Sequence, residues 1–239
     1  MQKNNKSLVD FLNAFLATLR LDVIWKEWLQ FALGLGNTVW LCAVSMLLSL
    51  LLGVLFMVPL MSRHGYVRGV ARTVVDGGRC VPFLLLTYLV YYALPSLGLS
   101  LDKWTAALIT LVIYNTAYMA EILRAGWVHL PQGQTEAGRA FGHTGIRLFR
   151  QIILPQVLIA VGPVVGNQLI QLIKDSAFLS IITVPELTYA ANSVQSFYFV
   201  PFESFLVATL LYWGLCGAVE YLVHRGERLA AMVRRGHGH

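Results

Sequence analysis

The stretch Thr135–Gln156, TEAGRAFGHTGIRLFRQIILPQ, decides how the rest of the chain is interpreted. Its apolar residues recur every three to four positions, which predicts an amphipathic helix, and Gly142 and Gly145 predict a break within it. Thr135 is expected to cap the helix, and Glu136 then places a negative charge on the first turn, where the helix dipole favours it. Because the stretch is basic and separates two long apolar runs, we expect a surface helix that docks a soluble partner.

The overall composition is that of a membrane protein. Of the 239 residues, 57% are hydrophobic and 13% are charged, whereas soluble domains carry about a quarter charged residues. Mean hydropathy is +0.64. The net charge of +6 does not indicate nucleic-acid binding, because the basic residues lie in short loops between apolar runs, as they do in membrane proteins.

Five apolar runs predict five membrane-spanning helices and therefore an all-α, polytopic fold. Each run offers about the 20 residues that a helix needs to cross a bilayer. The runs cover approximately residues 31–61, 74–97, 104–123, 152–173 and 202–223. They define a membrane domain of residues 31–224, with 124–151 as its central loop. Lys174 and Asp175 interrupt the fourth run, and a short apolar piece follows them.

Two more polar segments flank the membrane domain. Residues 1–30 carry apolar residues at helical spacing, which predicts an amphipathic helix at the interface, anchored by Trp25 and Trp28. A partly ordered tail is the alternative. Residues 225–239 are interpreted as a basic tail.

The distribution of lysine and arginine predicts the orientation in the membrane. Five spans place the two termini on opposite sides. Loops on the side of residues 124–151 carry eleven of the 18 basic residues, and loops on the other side carry five. The positive-inside rule therefore predicts that this loop and the C-terminus are cytoplasmic and that the N-terminus is outside.

The spacing of the opening stretch resembles a known motif. Glu136-Ala137-Gly138, then Gly142, then Ile152-x-Leu154-Pro155 is similar to the EAA loop of ATP-binding-cassette (ABC) importer permeases. Further segments resemble the branch of that family that takes up polar amino acids: Ala120–Gly126, Gly133-Gln134, Lys174-Asp175-Ser176 and Pro185-Glu186-Leu187. The resemblance extends from about Leu33 to Glu220.

The resemblance implies a fold, a location and a set of partners. The fold is the type I ABC importer permease fold, five transmembrane helices plus a cytosolic coupling helix, in the bacterial cytoplasmic (inner) membrane. Residues 132–150 would dock in a cleft of an ATP-binding subunit dimer. The implied coupling residues are Glu136, Ala137, Gly138, Arg139, Gly142 and Pro155. The other implied partners are a second permease, identical or a sister subunit, an extracytoplasmic solute-binding protein and an amino acid substrate.

Two positions depart from the family pattern. Gly138 stands where the family has its third alanine, which is expected to weaken the helix by up to about 1 kcal/mol. In the second span, Arg79-Cys80-Val81-Pro82 stands where the family often shows Arg-Gly-Thr-Pro. The arginine and proline are kept, but the small polar pair between them is not.

The chain carries no pattern for chemical catalysis. It has no GxxxxGK[ST] loop to hold nucleotide phosphates and no GxSxG or HExxH motif. The three cysteines lie in apolar runs without metal-ligand spacing, and a solvated tail is expected at His237 and His239. We therefore predict a transport subunit that is not an enzyme and has no cofactor or metal, with ATP bound by the partner subunit.

Charged residues inside the apolar runs are the candidate substrate-binding residues. A charge in the membrane costs roughly 2.5–3.5 kcal/mol, so it must be paired or line a cavity. Arg79 and Glu121 could form a structural ion pair. Alternatively, Arg79 receives the α-carboxylate of a substrate and Glu121 or Asp175 its ammonium group, with Ser176 adding a hydroxyl. Asp175 could also simply mark the outer end of a helix.

Two functional hypotheses follow. The first is a permease subunit of an ATP-driven importer that moves a polar amino acid, basic or zwitterionic in view of the carboxylates. The second is a self-contained ion-coupled carrier or channel for small polar solutes, which would use the same buried charges without an ATPase.

Overall fold

Helices and short turns make up the part of the chain that the structure describes. The structure is a computed structural model that describes residues 20–236, with side chains through residue 228. The helices are α1 (Leu21–Lys26), α2 (Trp28–Leu60), α3 (Gly65–Cys80), α4 (Phe83–Tyr88), α5 (Lys103–Val128), α6 (Gln132–Ala140), α7 (Gly145–Leu148), α8 (Leu154–Ser176), α9 (Leu187–Tyr198) and α10 (Pro201–Gly236). The helix predicted within residues 1–19 lies outside the described residues.

Tighter or wider helical turns extend three of these elements. A π-helical turn (Leu89–Ala93) and a 3-10 turn (Leu94–Leu97) continue α4, a π-helical turn (Phe149–Ile153) joins α7 to α8, and a 3-10 turn (Ala177–Ile182) follows α8. No strand occurs between residues 20 and 236. The all-α class predicted from the apolar runs is therefore confirmed.

Four stretches are long and apolar enough to cross a membrane, and a fifth is bent. The four are α2, α5, α7 with α8 and its extension (Gly145–Ile182), and α10 over Pro201–Arg228. The fifth consists of α3 and the α4 stretch to Leu97, which meet at 98°. Pro82 restricts the residue before it to an extended backbone, and Val81 has φ −82° and ψ 130°.

The bend corrects the prediction of one straight second span from about Val74 to Leu97. The first half of that run belongs to α3, which is amphipathic. Some of its apolar residues are buried and others are exposed. Arg79 consequently lies in the last turn of α3, instead of several residues into a continuous span.

Close contacts between small residues hold the spans together. A Cβ atom added to Gly53 of α2 would lie 2.6 Å from the Cβ atom of Met119 on α5. One added to Gly126 of α5 would lie 2.4 Å from a methyl group of Val161 on α8. These three helices therefore approach each other at backbone contact distance, which places α5 in the middle of the bundle, between α2 and α8.

Hydrogen bonds to α2 and α10 fix the turn that precedes α9. Asn37 donates to the carbonyl of Pro185 at 2.7 Å, and the backbone N–H of Leu187 donates to Oγ1 of Thr38 at 3.1 Å. The fully buried Glu186 carboxylate caps α9 and also accepts a 2.7 Å bond from the Tyr212 hydroxyl of α10. The Pro185-Glu186-Leu187 sequence thus joins α9 to the helices on both sides.

The N-terminus of α5 is capped outside the membrane-spanning segment. The Asp102 carboxylate accepts hydrogen bonds from the backbone N–H groups of Trp104 and Thr105 and from the Thr105 hydroxyl. These bonds, that of the hydroxyl first, hold the pKa of the Asp102 carboxyl below its usual value because they favour the charged form. The cap sets the point at which the central helix begins.

Candidate functional site

The stretch between the third and fourth spans folds as two short helices. α6 begins at Gln132 and is preceded by Pro131, whose backbone has φ −54° and ψ 128°. Thr135 lies inside this helix and makes no cap, so the capping prediction is wrong, because the proline determines where the helix starts. Gly142 has φ +81° and Gly145 has φ +51°, which confirms the predicted break at the two glycines.

Packing between α6 and α7 explains the glycine at position 138. Gly138 is buried, and a Cβ atom added there would lie 2.6 Å from Cδ1 of Leu148. An alanine at this position would require Leu148 to move. The chain therefore combines a small residue in α6 with a leucine in α7 that lies in close contact with it.

Apolar side chains project from the break between the two helices. Phe141 is 85% exposed and Ile146 is 70% exposed. Glu136 and Arg139 are also exposed on α6. An exposed aromatic residue and an exposed branched residue, flanked by one acid and one base, form a surface that suits a protein partner.

A cavity of about 780 Å³ connects this segment with the spans. It lies between the end of α5, the start of α6 and the first half of α8. The residues that line it include Glu121, Gly126, His129, Gln134, Gln156 and Val164. Glu121 is thus a charged residue of α5 that lines the cavity next to the start of α6.

Glu121 and Arg79 form ion pairs on their own helices. Glu121 accepts two hydrogen bonds from Arg124, at 2.7 and 2.6 Å. Arg79 lies 3.6 Å from Asp76 and 5.6 Å above the ring of Tyr118. The alternative of a structural ion pair between Arg79 and Glu121 is therefore not found among the described residues, because each has a partner three positions away along its own helix.

Two tyrosines of α5, which the sequence analysis missed, contact both sides of the α3–α4 bend. The hydroxyls of Tyr114 and Tyr118 are 3.2 Å apart, and that of Tyr118 donates to the carbonyl of Arg79 at 3.3 Å. The Tyr114 ring packs edge-on against Phe83, at 5.3 Å between centroids. The available signal was their spacing of four residues within a span, which places both rings on one helical face.

Asp175 lies in the last turn of α8 with an incomplete set of hydrogen bonds. It is 6% exposed, and its Oδ1 atom accepts a 2.9 Å bond from Gln171. Its Oδ2 atom is buried and has no hydrogen-bond partner. Burial of a carboxylate oxygen without a hydrogen-bond donor costs free energy.

Ser176 is the last residue of α8 and follows Asp175 directly. The Ser176 hydroxyl is buried and donates to the carbonyl of Ile173 at 2.8 Å. α8 runs without interruption past Lys174 and Asp175 to Ser176. The α-helix ends one residue after Asp175, which agrees with the alternative that Asp175 marks the end of a helix.

Polar side chains form an exposed stripe along the membrane-spanning part of α8. Asn167, Gln171 and Lys174 recur at spacings of four and three and are all exposed, so they lie on one face. On the neighbouring face, Gln168 donates to Asn115 of α5 at 2.9 Å. Because lipid cannot satisfy such groups, this face must border water or protein.

The structure does not bring the candidate substrate-binding residues together in one site. Glu121 shares the cavity with Val164, whereas Asp175 lies 11 positions further along α8 than Val164, a rise of about 16 Å. Asp175 and Ser176 are neighbours in the last turn of α8, and Arg79 is on α3. No group of three or more histidine, cysteine or acidic side chains suited to a metal ion occurs in the described part of the chain.

Comparisons with known proteins agree with this architecture. The family model described as binding-protein-dependent transport system inner membrane component matches residues 21–228. The probable glutamine ABC transporter permease protein GlnM of Bacillus subtilis (strain 168) is 31% identical, over 88% of this chain and 99% of the relative. The probable amino-acid ABC transporter permease protein YckA of the same organism is 32% identical, over 77% of this chain and 81% of the relative.

A solved structure shows the same fold. A chain in the crystal structure of an amino acid ABC transporter with histidines matches with a TM-score of 0.81 and 30% identity, over 88% of this chain and 99% of that chain. These matches favour the importer over a self-contained carrier. The family model spans most of the chain, and both relatives are at least 31% identical over more than three quarters of it. The chain therefore belongs to the inner membrane components of binding-protein-dependent transport systems, the permease subunits of ABC importers.

Proposed function

We propose that this chain forms one wall of the pathway through which an ATP-driven importer moves a polar amino acid into the cytoplasm. The observation that carries the proposal is the exposed polar stripe of Asn167, Gln171 and Lys174 within a membrane-spanning stretch. We assign the substrate's ammonium group to the neighbouring Asp175, whose carboxylate can form a charge-assisted hydrogen bond with it. The relatives named for glutamine and amino-acid transport support an amino acid as the substrate.

The polar stripe of α8 gives the substrate a route. From Asp175 the route passes Gln171 and Asn167, which are one and two turns closer to the cytoplasmic end. It then reaches the cavity beside Glu121, and the start of α6 lies at the end of that cavity. One chain encloses only one side of this route, so a second permease, identical or a sister subunit, supplies the other side.

The segment α6–α7 transmits the movement of an ATPase subunit. Its exposed Phe141 and Ile146 provide apolar contacts for a cleft in that subunit, and Glu136 and Arg139 provide polar ones. Because Leu148 packs on Gly138 and α7 continues into α8, a push on α6 moves α8 as a rigid body. We place this segment and the C-terminus in the cytoplasm, in line with the distribution of basic residues.

Reconstitution tests the proposal. The complex is purified through this chain from its own host, and the chain alone and the complex are placed in separate liposomes with a mixture of labelled L-amino acids. We expect ATP-dependent uptake by the complex in the presence of the solute-binding protein and none by the chain alone. Uptake by the chain alone would instead support the ion-coupled carrier. An assembled, ATP-hydrolysing complex that takes up no amino acid would contradict the substrate class.

A further inference from the structure

We propose that the corner between α9 and α10 inserts the rings of Phe197 and Phe199 into the headgroup region of the bilayer, at the membrane surface where α2 and α10 begin. Together with Trp25 and Trp28, which lie where α1 meets α2, these rings form one lipid-binding surface, which we call the aromatic rim. The inference depends neither on the substrate nor on the ATPase subunit, because its partner is the bilayer itself.

The backbone at Phe199 is unfavourable for a bulky residue. Phe199 follows the last residue of α9 with φ +56° and ψ 45°, in the left-handed region that favours glycine and asparagine. Adopting this conformation costs free energy. The ring is 87% exposed, so packing against the described part of the chain does not offset that cost. Contact with an apolar surrounding outside it would.

A hydrogen bond and two ring contacts join the corner to α1. The ring of Phe197, which is 77% exposed, packs edge-on against the ring of Tyr198, with 4.8 Å between centroids. The Tyr198 hydroxyl donates a 2.6 Å hydrogen bond to the Glu27 carboxylate, and the Lys26 ammonium group lies 5.7 Å from the centroid of the Tyr198 ring. Residues about 170 positions apart in the chain therefore form one surface, and the exposed ring of Trp25 belongs to it.

The starts of two membrane-spanning stretches determine the depth of the aromatic rim. α2 begins at Trp28 and α10 begins at Pro201, and both are long and apolar enough to cross a membrane. The two starts lie at the same surface, because the backbone N–H group of Arg20, just before α1, donates a 2.9 Å bond to Glu203 in the first turn of α10. Aromatic side chains are enriched at the depth where spans enter the headgroup region.

The charges next to the aromatic rim favour lipid over a protein partner. Lys26 and Glu27 both contact Tyr198, and Glu203 accepts the bond from Arg20, so these three charged side chains already have partners within the chain. The most prominent exposed groups are therefore large aromatic rings. An exposed apolar patch marks a protein or a membrane interface, and the bilayer meets rings at this depth without any further component.

The experiment measures what surrounds the corner. The three natural cysteines are replaced by alanine, and a nitroxide spin label is attached to Phe197→Cys or to Phe199→Cys. Each complex with its ATPase subunit is placed in nanodiscs without the solute-binding protein. The collision rate of the label is measured with oxygen, which concentrates in the bilayer, and with a nickel complex that stays in water. Ser100→Cys, in the exposed loop before α5, is the control in water.

We expect the ratio of the oxygen to the nickel collision rate at Phe197→Cys and Phe199→Cys to be several times the ratio at Ser100→Cys. The two positions are read separately, so one of them is sufficient if the other variant does not assemble. A ratio equal to that at Ser100→Cys would place the corner in water and overturn the proposal. Low collision rates with both reagents would overturn it as well, because they would show that protein covers the corner. Uptake is not measured, so either failure leaves the proposed function standing.

Discussion

The last turn of α8 and the segment α6–α7, which we propose as the coupling segment, contain the two groups of residues to which we assign roles in transport, and they are built differently. The coupling segment is made from consecutive residues, and its shape follows from a proline, two glycines and one packing pair. The end of α8 depends on which face of a long helix is turned toward α5 and which is left open. Residues of the coupling segment can therefore be recognised from their spacing in the sequence. Those at the end of α8 can be recognised only once the packing of the helix bundle is known.

Asp175→Asn is the sharpest test of the last turn of α8. Asparagine keeps the shape of the side chain and the bond from Gln171 but removes the negative charge that receives an ammonium group. We expect uptake by the reconstituted complex to fall at least about tenfold, while the ATPase subunit still copurifies. Asp22→Asn, at an exposed acid of α1, serves as the matched control.

Glu121→Gln extends this test to the cavity. Glu121 is already neutralised by Arg124, so its loss should reduce uptake less than the loss of Asp175. Wild-type uptake by both variants would remove the basis for a charged substrate route through α5 and α8.

Glu136→Lys tests the coupling segment, and here we expect the binding of the ATPase subunit to be lost, whereas Asp175→Asn should keep it. The side chain is exposed on α6, and reversing its charge changes the surface without changing the fold. We expect loss of copurifying ATPase subunit, with the chain still present in the membrane. The matched reversal Asp22→Lys lies on α1, remote from this segment, and should leave the complex intact. An unchanged yield of complex with Glu136→Lys would argue against docking at α6.

Gly138→Ala tests whether packing within the coupling segment matters. The added methyl group would meet Leu148, and overpacking of this kind costs about 1–3 kcal/mol. We expect a lower melting temperature and weaker coupling of ATP hydrolysis to uptake. The double variant Gly138→Ala/Leu148→Val should recover part of both, because valine lacks the atom that collides. No change in the single variant would mean that Leu148 moves aside without cost.

Tyr118→Phe should have the smallest effect. The hydroxyl makes a bond of 3.2 Å to Tyr114 and a long bond of 3.3 Å to the Arg79 carbonyl, and the ring that Arg79 stacks on is kept. We expect a loss of less than about 1 kcal/mol, measured as a small drop in melting temperature of the complex. A large drop would show that the α3–α4 bend depends on this hydroxyl.

Local features of the sequence predicted the break at Gly142 and Gly145 and the helical class. The start of α6 was missed because Pro131, outside the apolar pattern, determines it. The bend at Pro82 was missed as well, since hydropathy averages over a run and does not report a change of direction. The partners of Glu121 and Arg79 depend on side-chain rotation within one helix, which a list of charged positions does not specify.

The sequence by itself determined the apolar runs, the all-α class, the helix break at Gly142 and Gly145 and the membership in the permease family, because these depend on composition, periodicity and the spacing of neighbouring residues. Only the tertiary structure decided that Gly138 is matched to Leu148, that Asp175 keeps an oxygen without a donor and that Lys174 is exposed on the open face of α8. Those properties depend on how helices distant in the chain are rotated against each other, since each rotation determines which side chains are covered and which remain available to a substrate.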